Sequence, residues 1–248
     1  MKGLVVGLAN EQSIAWGCIQ AFRAQGAELA ITWVNEKTKG FIEPLAQSVD
    51  APLFLPLDVT SDAQMDSVFS AISQKWGKLD FILHSIAFAP KEDLQGRLID
   101  SSAEGFKIAM DVSCHSLMRL VKRAEPLMAD GGSILTMSYY GAEKAIENYN
   151  LMGPVKSALE SSVRYLAREL GEKKIRVNAL STGPVKTRAA SGLAHFDALM
   201  EKAAETAPIR SLVSVEQIGE AAAFLVSDKS RNITGQTIYV DNGYNALG

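Results

Sequence analysis

Seven short runs of almost continuous apolar residues recur along the chain: Leu4 to Gly7, Leu29 to Trp33, Leu53 to Leu57, Phe81 to Leu83, Ser133 to Met137, Arg176 to Leu180 and Thr237 to Val240. Most do not alternate in polarity, which is what strands buried on both faces of a parallel sheet require. Patterns of helical period lie between them, among them Ser13 to Gln25, Ser61 to Lys75, Met152 to Leu170 and Val215 to Val226. Alternating strand and helix gives βαβ units with right-handed crossovers. The expectation is an α/β, single-domain, doubly wound Rossmann fold: a seven-stranded, mostly parallel sheet with helices on both faces. Ligand sites in such a sheet lie at the carboxyl ends of the strands.

The 248 residues suit one domain spanning 1–248 with one large core. No Pro/Gly/Ser-rich linker or internal repeat divides them. The longest insertion without a strand, about 187–208, reads as a small substrate-binding lid. A net charge of −3, from 25 basic and 28 acidic residues without a Lys/Arg run, argues against nucleic acid as a partner. Cys18 and Cys114 lack ligand spacing, so no metal is expected and a reduced compartment fits. The apolar stretch Leu4 to Ala9 is too short for a signal-peptide core, and no run approaches the roughly 18 apolar residues of a spanning helix. A cytoplasmic protein with no membrane partner is expected.

After the first strand stands Gly7-Leu-Ala-Asn-Glu-Gln-Ser13-Ile14. Gly7 permits a tight turn and Ser13 can cap the next helix, whose amino end suits a pyrophosphate. The turn lacks the full G-x-G-x-x-G pattern, so a plain capped βα turn fits it as well. Asp58-Val59 closes the third strand and His84-Ser85-Ile86-Ala87-Phe88-Ala89-Pro90 follows the fourth, both at carboxyl ends where an adenine and a ribose can approach. Asp58 also serves as plain punctuation of the next helix. Trp33-Val34-Asn35-Glu36-Lys37 ends the second strand; Glu36 favours NADH and Lys37 favours NADPH, and NADH is the preferred reading.

Beyond the fifth strand the chain reads Ser138-Tyr139-Tyr140-Gly141-Ala142-Glu143-Lys144-Ala145-Ile146-Glu147-Asn148-Tyr149-Asn150-Leu151-Met152-Gly153-Pro154-Val155-Lys156. Pro154 belongs in a first helical turn, so the helix begins near Leu151, with Tyr149 just ahead of it and Lys156 further in on the same side. A Tyr and a Lys at this place resemble the short-chain dehydrogenase/reductase superfamily, most of whose members set the two four apart. Here six residues separate Tyr149 from Lys156, and Tyr139 stands ten before Tyr149. That departure, with Gly7-x5-Ser13-Ile14-Ala15, Asp58-Val59, Ser85 to Pro90 and Gly183-Pro184-Val185-Lys186-Thr187-Arg188-Ala189-Ala190-Ser191-Gly192, resembles the enoyl-acyl-carrier-protein reductases over essentially the whole chain.

The resemblance implies hydride delivery from NADH to the β-carbon of a trans-2-enoyl thioester on acyl carrier protein. Tyr149 would donate a hydrogen bond to the thioester oxygen. Lys156 would hold the nicotinamide ribose and lower the phenol's pKa by its charge. Tyr139 would stand beside the thioester. The dinucleotide would lie against Gly7, Ser13, Ile14, Val34, Asp58, Val59, Ile86, Lys156 and the run Val185, Lys186, Thr187, Arg188 and Ala189. The substrate would meet Ala89, Tyr139, Tyr149, Met152, Ala190, Phe196 and Leu199. A homotetramer built through the long helices flanking strands four and five is also implied.

Three residues depart from the family pattern: Ala87 where a glycine is common, Arg188 in place of an apolar residue, and Asn242 at the C-terminal turn. His84, ending an apolar strand, reads as a satisfied core histidine, and His115 and His195 show no acid or base partner. Two other readings stay open: a conventional short-chain dehydrogenase acting on a carbonyl or alcohol, and a non-catalytic dinucleotide-binding protein.

Overall fold

The computed structural model describes residues 1–187 and 196–247. Its seven strands, β1 (Lys2–Val6), β2 (Glu28–Trp33), β3 (Leu53–Pro56), β4 (Phe81–His84), β5 (Gly132–Tyr139), β6 (Ile175–Thr182) and β7 (Thr237–Val240), join in one sheet of order β3-β2-β1-β4-β5-β6-β7. Every neighbouring pair is parallel. The chain winds outward from β1 to β3, then returns to β4 on the other side of β1, so the strand order reverses between β1 and β4. A crevice opens at such a switch point.

Alternate strand residues feed two separate cores. Leu4, Val6 and Ile82 point to one face, covered by α3 (Asp62–Trp76), α5 (Ala103–Met110), α6 (Ser116–Ala124) and α7 (Met152–Leu170). Val5, Phe81 and Leu83 point to the other, covered by α1 (Ile14–Ala24), α2 (Glu36–Ser48) and α9 (Val215–Val226). Burial on both sides is why the strands read as continuous apolar runs rather than alternating ones. The short α4 (Lys91–Gln95) lies above β4, and a single π turn, Asp111–His115, joins α5 to α6 in one long rod.

β5 and β6 reach beyond their apolar stretches, and their carboxyl ends pair Ser138 with Ser181 and Tyr139 with Thr182. These four polar side chains are buried, so hydrophobicity alone stops short of the strand ends. The insertion after β6 carries α8 (Phe196–Thr206) rather than only loop; residues 188–195 lie outside the described residues.

α1 and α9 cross at glycines. A Cβ on Gly17 would stand 2.0 Å from the Val215 carbonyl oxygen, and one on Gly219 would stand 2.2 Å from the Gly17 carbonyl oxygen. Both obstacles are helix backbone, which cannot move aside as a side chain can. Gly219→Ala is therefore expected to destabilise the fold by about 3 kcal/mol and lower Tm by roughly 6–12 °C. A thermal melt against the parent checks this, and an unchanged Tm would show that the crossing is looser than its backbone contacts require.

Candidate active site

The cleft opens at the carboxyl ends of β1, β4, β5 and β6 and is lined from the β1 turn by Gly7, Ala9, Ser13 and Ile14. Gly7 has φ of +107°, and a Cβ there would lie 2.0 Å from the Ser85 carbonyl oxygen. Only glycine permits both that dihedral and the close approach of the β1 and β4 turns. Ser13 precedes α1 but does not cap it: its Oγ accepts from the backbone N–H groups of Ala9 and Asn10, both at 3.1 Å. The first turn of α1 carries no acidic residue and no side-chain cap. A tight glycine turn feeding such a helix end fits the diphosphate of a dinucleotide, because backbone N–H groups and the positive end of the helix dipole face the same side.

On the opposite wall, the Ser85 to Ala89 loop is held from behind by the π turn. The buried Ser113 hydroxyl accepts from the Phe88 N–H at 2.8 Å and donates to the Phe88 carbonyl at 2.9 Å. One side chain thus satisfies both backbone groups of a loop residue that no strand can reach.

β5 and α7 supply the polar end. α7 begins at Met152, so Pro154 sits in its first turn and Tyr149 just ahead of it, as its sequence dictates. Lys156 is buried, and its Nζ donates to the Met137 carbonyl at 2.7 Å. Burial pulls the ammonium down to about 8, opposed by Cys114 and Glu160. The Tyr149 phenol is pushed upward, first by burial and then by Tyr139 and Glu160. The phenol is not lowered as expected: burial dominates, and Tyr139 and Glu160 add to the upward shift. Tyr149 is accordingly a neutral hydroxyl, a donor rather than a base. Tyr139 packs edge-on against it, ring centroids 4.8 Å apart, and its buried hydroxyl has no hydrogen-bond partner among the described residues. An unpartnered hydroxyl at a cleft wall is costly unless something in the cleft meets it.

Of the residues singled out from sequence, Gly7, Ser13, Ile14, Ile86, Ala89, Tyr139, Tyr149, Met152, Lys156, Val185, Thr187 and Phe196 line this one cleft. Val34, Asp58, Val59, Lys186 and Leu199 do not. Val34 is exposed beyond β2, and Val59 and Leu199 pack on the core of the α7 face. Asp58 Oδ1 accepts from the Thr60 N–H at 2.8 Å and hydroxyl at 2.7 Å, and Lys186 pairs with Asp197 at 3.3 Å. Arg188, Ala189, Ala190 and His195 lie outside the described residues. Ser138, Leu94 and Thr182 also line the cleft, without a local sequence signal that marks them. Ser138 and Thr182 are polar strand ends, and Leu94 lies on a helix too short to show periodicity. His115 does have an acidic partner, Asp111 one helical turn earlier at 3.2 Å. Asn242 takes a left-handed φ of 58° and ties the C-terminal turn to Ser211, donating to its carbonyl at 2.8 Å.

A Rossmann sheet with a glycine turn at its switch point and a buried Tyr and Lys at the ends of β5 and α7 defines a dinucleotide-binding oxidoreductase of the short-chain dehydrogenase/reductase type. The sequence profile of the enoyl-(acyl carrier protein) reductase family matches residues 7–245. The chain is 48% identical over 247 residues, all of it and 91% of the relative, to enoyl-[acyl-carrier-protein] reductase [NADH] 1 of Rhizobium meliloti. Its fold superposes on the enoyl-acyl-carrier-protein reductase of Anaplasma phagocytophilum in complex with NAD with a TM-score of 0.96 at 45% identity, covering 100% of this chain and 94% of that one. The Bacillus cereus enoyl-acyl carrier protein reductase with NADP+ matches at TM-score 0.97 and 40% identity, covering 100% and 97%. The chain therefore belongs to the enoyl-acyl-carrier-protein reductase family.

His84 is fully buried behind the cleft, as its sequence position implied. Ser116 spends its one proton on the Val112 carbonyl at 2.6 Å. It must then accept from His84 Nε2–H at 2.9 Å, leaving Nδ1 to accept from the Thr136 hydroxyl at 2.8 Å. Both ring nitrogens are satisfied in the neutral form, and burial, followed by the Lys156 charge, holds the imidazole down at about 3 against an ordinary 6.5. The unfolded chain binds this proton and the folded one does not, so the stability His84 contributes is present above pH of about 6.5 and is lost as pH falls toward 3. The urea midpoint of the parent is expected to fall through that window more steeply than that of His84→Asn, and parallel profiles would contradict a neutral buried His84.

Proposed function

We propose that this chain reduces the carbon–carbon double bond of trans-2-enoyl thioesters borne on acyl carrier protein, with NADH as the hydride donor, in fatty acid elongation. The observation that carries this reading is that Tyr149 and Lys156, both buried residues, line the same cleft that the glycine turn opens. A bound reduced nicotinamide supplies the hydride, which goes to the β-carbon. Tyr149 donates a hydrogen bond to the thioester oxygen as the enolate develops. Lys156 holds the ribose hydroxyls, and the α-carbon is then protonated. Tyr139 and Met152 form the wall against the thioester, while Ala89 and Phe196 line the apolar mouth for the acyl chain.

Gly7, Ser13, Ile14 and Ile86 meet the dinucleotide near the β1 turn, Val34, Asp58 and Val59 serve its adenosine end, and the run Val185 to Ala189 holds the carboxamide. NADH is favoured over NADPH by the end of β2. Val34 there is apolar, and Lys39 lies 5.1 Å over the Trp33 ring and 3.8 Å from Glu36. The curated relatives named as NADH enzymes, at 44–48% identity, support the same choice. The whole chain acts as one catalytic domain with 187–208 as its lid. A homotetramer is supported by exposed Phe106 and Tyr165 on the rod and on α7, and no described helix is long and apolar enough to cross a membrane.

The test follows NADH, and separately NADPH, oxidation by the purified protein with a short trans-2-enoyl thioester and a β-ketoacyl thioester as control. Oxidation with the enoyl substrate alone is expected. Oxidation with the ketoacyl substrate alone would assign a conventional carbonyl reductase, and no oxidation despite tight dinucleotide binding would mark a non-catalytic protein. Tyr149→Phe is expected to lower kcat about 100- to 1,000-fold, the scale of one lost oxyanion donor, with NADH affinity nearly unchanged. Undiminished turnover would remove Tyr149 from the reaction.

A further inference from the structure

Glu160 is a buried carboxylate that the proposed reaction does not use. It lies on α7 one turn after Lys156, on the same face, and is buried. It accepts from the Ser138 hydroxyl. Ser138 lines the cleft and follows Met137, whose carbonyl receives the Lys156 ammonium. Carboxylates are rarely buried without partners, since taking the charge out of water costs free energy that only partners return.

Four groups act on Lys156 and its surroundings from the packed elements. His84, on β4, is neutral. Cys114, in the π turn, is pushed above its ordinary 9.0 by burial and so remains a thiol where Lys156 titrates. Tyr149 is likewise neutral. With Cys114 a thiol, Glu160, one helical turn from Lys156 on the same face and linked to it through Ser138 and the Met137 carbonyl, is the carboxylate that opposes the desolvation of Lys156. Glu160 itself faces Lys156 and Arg164 on its own helix, Glu143 beyond β5, and the hydroxyls of Tyr149 and Tyr239. Burial and Glu143 oppose its ionisation, while Ser138, Thr237 and Arg164 favour it.

We propose that Glu160 is a positioning residue: its carboxylate keeps Lys156 an ammonium within the buried site and pins Ser138, so that the carbonyl holding that ammonium stays in place. The inference rests on the enoyl-reductase reading for its kinetic consequence but not for its electrostatic one. Glu160→Gln keeps the volume and an acceptor for Ser138 while deleting the charge. Glu160→Asp keeps the charge.

The direct test is the titration midpoint of the Lys156 side chain in the full-length protein labelled with 13C at lysine Cε, its resonance assigned by its loss in Lys156→Arg. Glu160→Gln is expected to lower the midpoint by about one pH unit, the scale of one nearby opposite charge, and Glu160→Asp to leave it near the parent value. The alkaline limb of kcat/KM for an enoyl thioester should move with it, so that Glu160→Gln loses about tenfold at pH above the parent's limb and little below it. An unmoved midpoint in Glu160→Gln, or an equal fall in both variants, would overturn the proposal, as would a loss of kcat/KM by the same factor at every pH. If Glu160→Gln does not fold, Glu160→Met deletes the charge with an apolar side chain of similar size: a lowered midpoint supports the proposal and an unmoved one overturns it. A parent that fails to reduce enoyl thioesters would sink the enoyl reading and leave the midpoint measurement to judge Glu160.

Discussion

The site depends on one bond, that from the buried Lys156 ammonium to the Met137 carbonyl. An ammonium taken out of water is expensive unless hydrogen bonds and opposite charge replace its hydration. β5 and α7 have to be set against each other closely enough to provide that carbonyl at 2.7 Å. The eight-residue ladder between β5 and β6 fixes the strand end, and the first turn of α7, with Pro154 inside it, fixes the helix start. Tyr149 is then carried into the cleft with its hydroxyl neutral, because its surroundings are too dry to favour a phenolate.

The opposite wall is held by side chains rather than strand pairing. Ser113 brackets Phe88, and His84 links Thr136 on β5 to Ser116 beyond the π turn, whose Val112 carbonyl Ser116 in turn satisfies. The extra residue of a π turn re-aims the side chains around it, which is why such turns recur near functional sites. Here it turns Ser113 toward the loop and Cys114 toward α7, where its thiol meets Ser162 at 3.7 Å.

The fold was legible because continuous apolar strands and capped or glycine-terminated helices carry their signals locally: α7 and α9 run between the residues that their periodicity marks, and β7 likewise. The Tyr149 and Lys156 constellation was legible because Pro154 fixes the helical frame. What was not legible is long-range. His84 finds Thr136 and Ser116, 52 and 32 residues away, and Glu160 finds Ser138, 22 residues away; no local pattern announces either pair. Ser13 looks like a helix cap and its hydroxyl instead closes back on Ala9 and Asn10, because the tight Gly7 turn presents those amides first. Asp58 has at least one oxygen engaged by Thr60, the plainer of the two uses its position allowed.

In the proposed reaction the cleft directs hydride to the β-carbon of an enoyl thioester and lets a solvent-derived proton reach the α-carbon. That course is tested most directly by turnover with NADH deuterated at the transferred position, followed by location of the label in the acyl product. Deuterium from the nicotinamide is expected at the β-carbon and, in a parallel reaction in deuterated water, solvent deuterium at the α-carbon. Label on a carbinol carbon, or product without nicotinamide label, would contradict it.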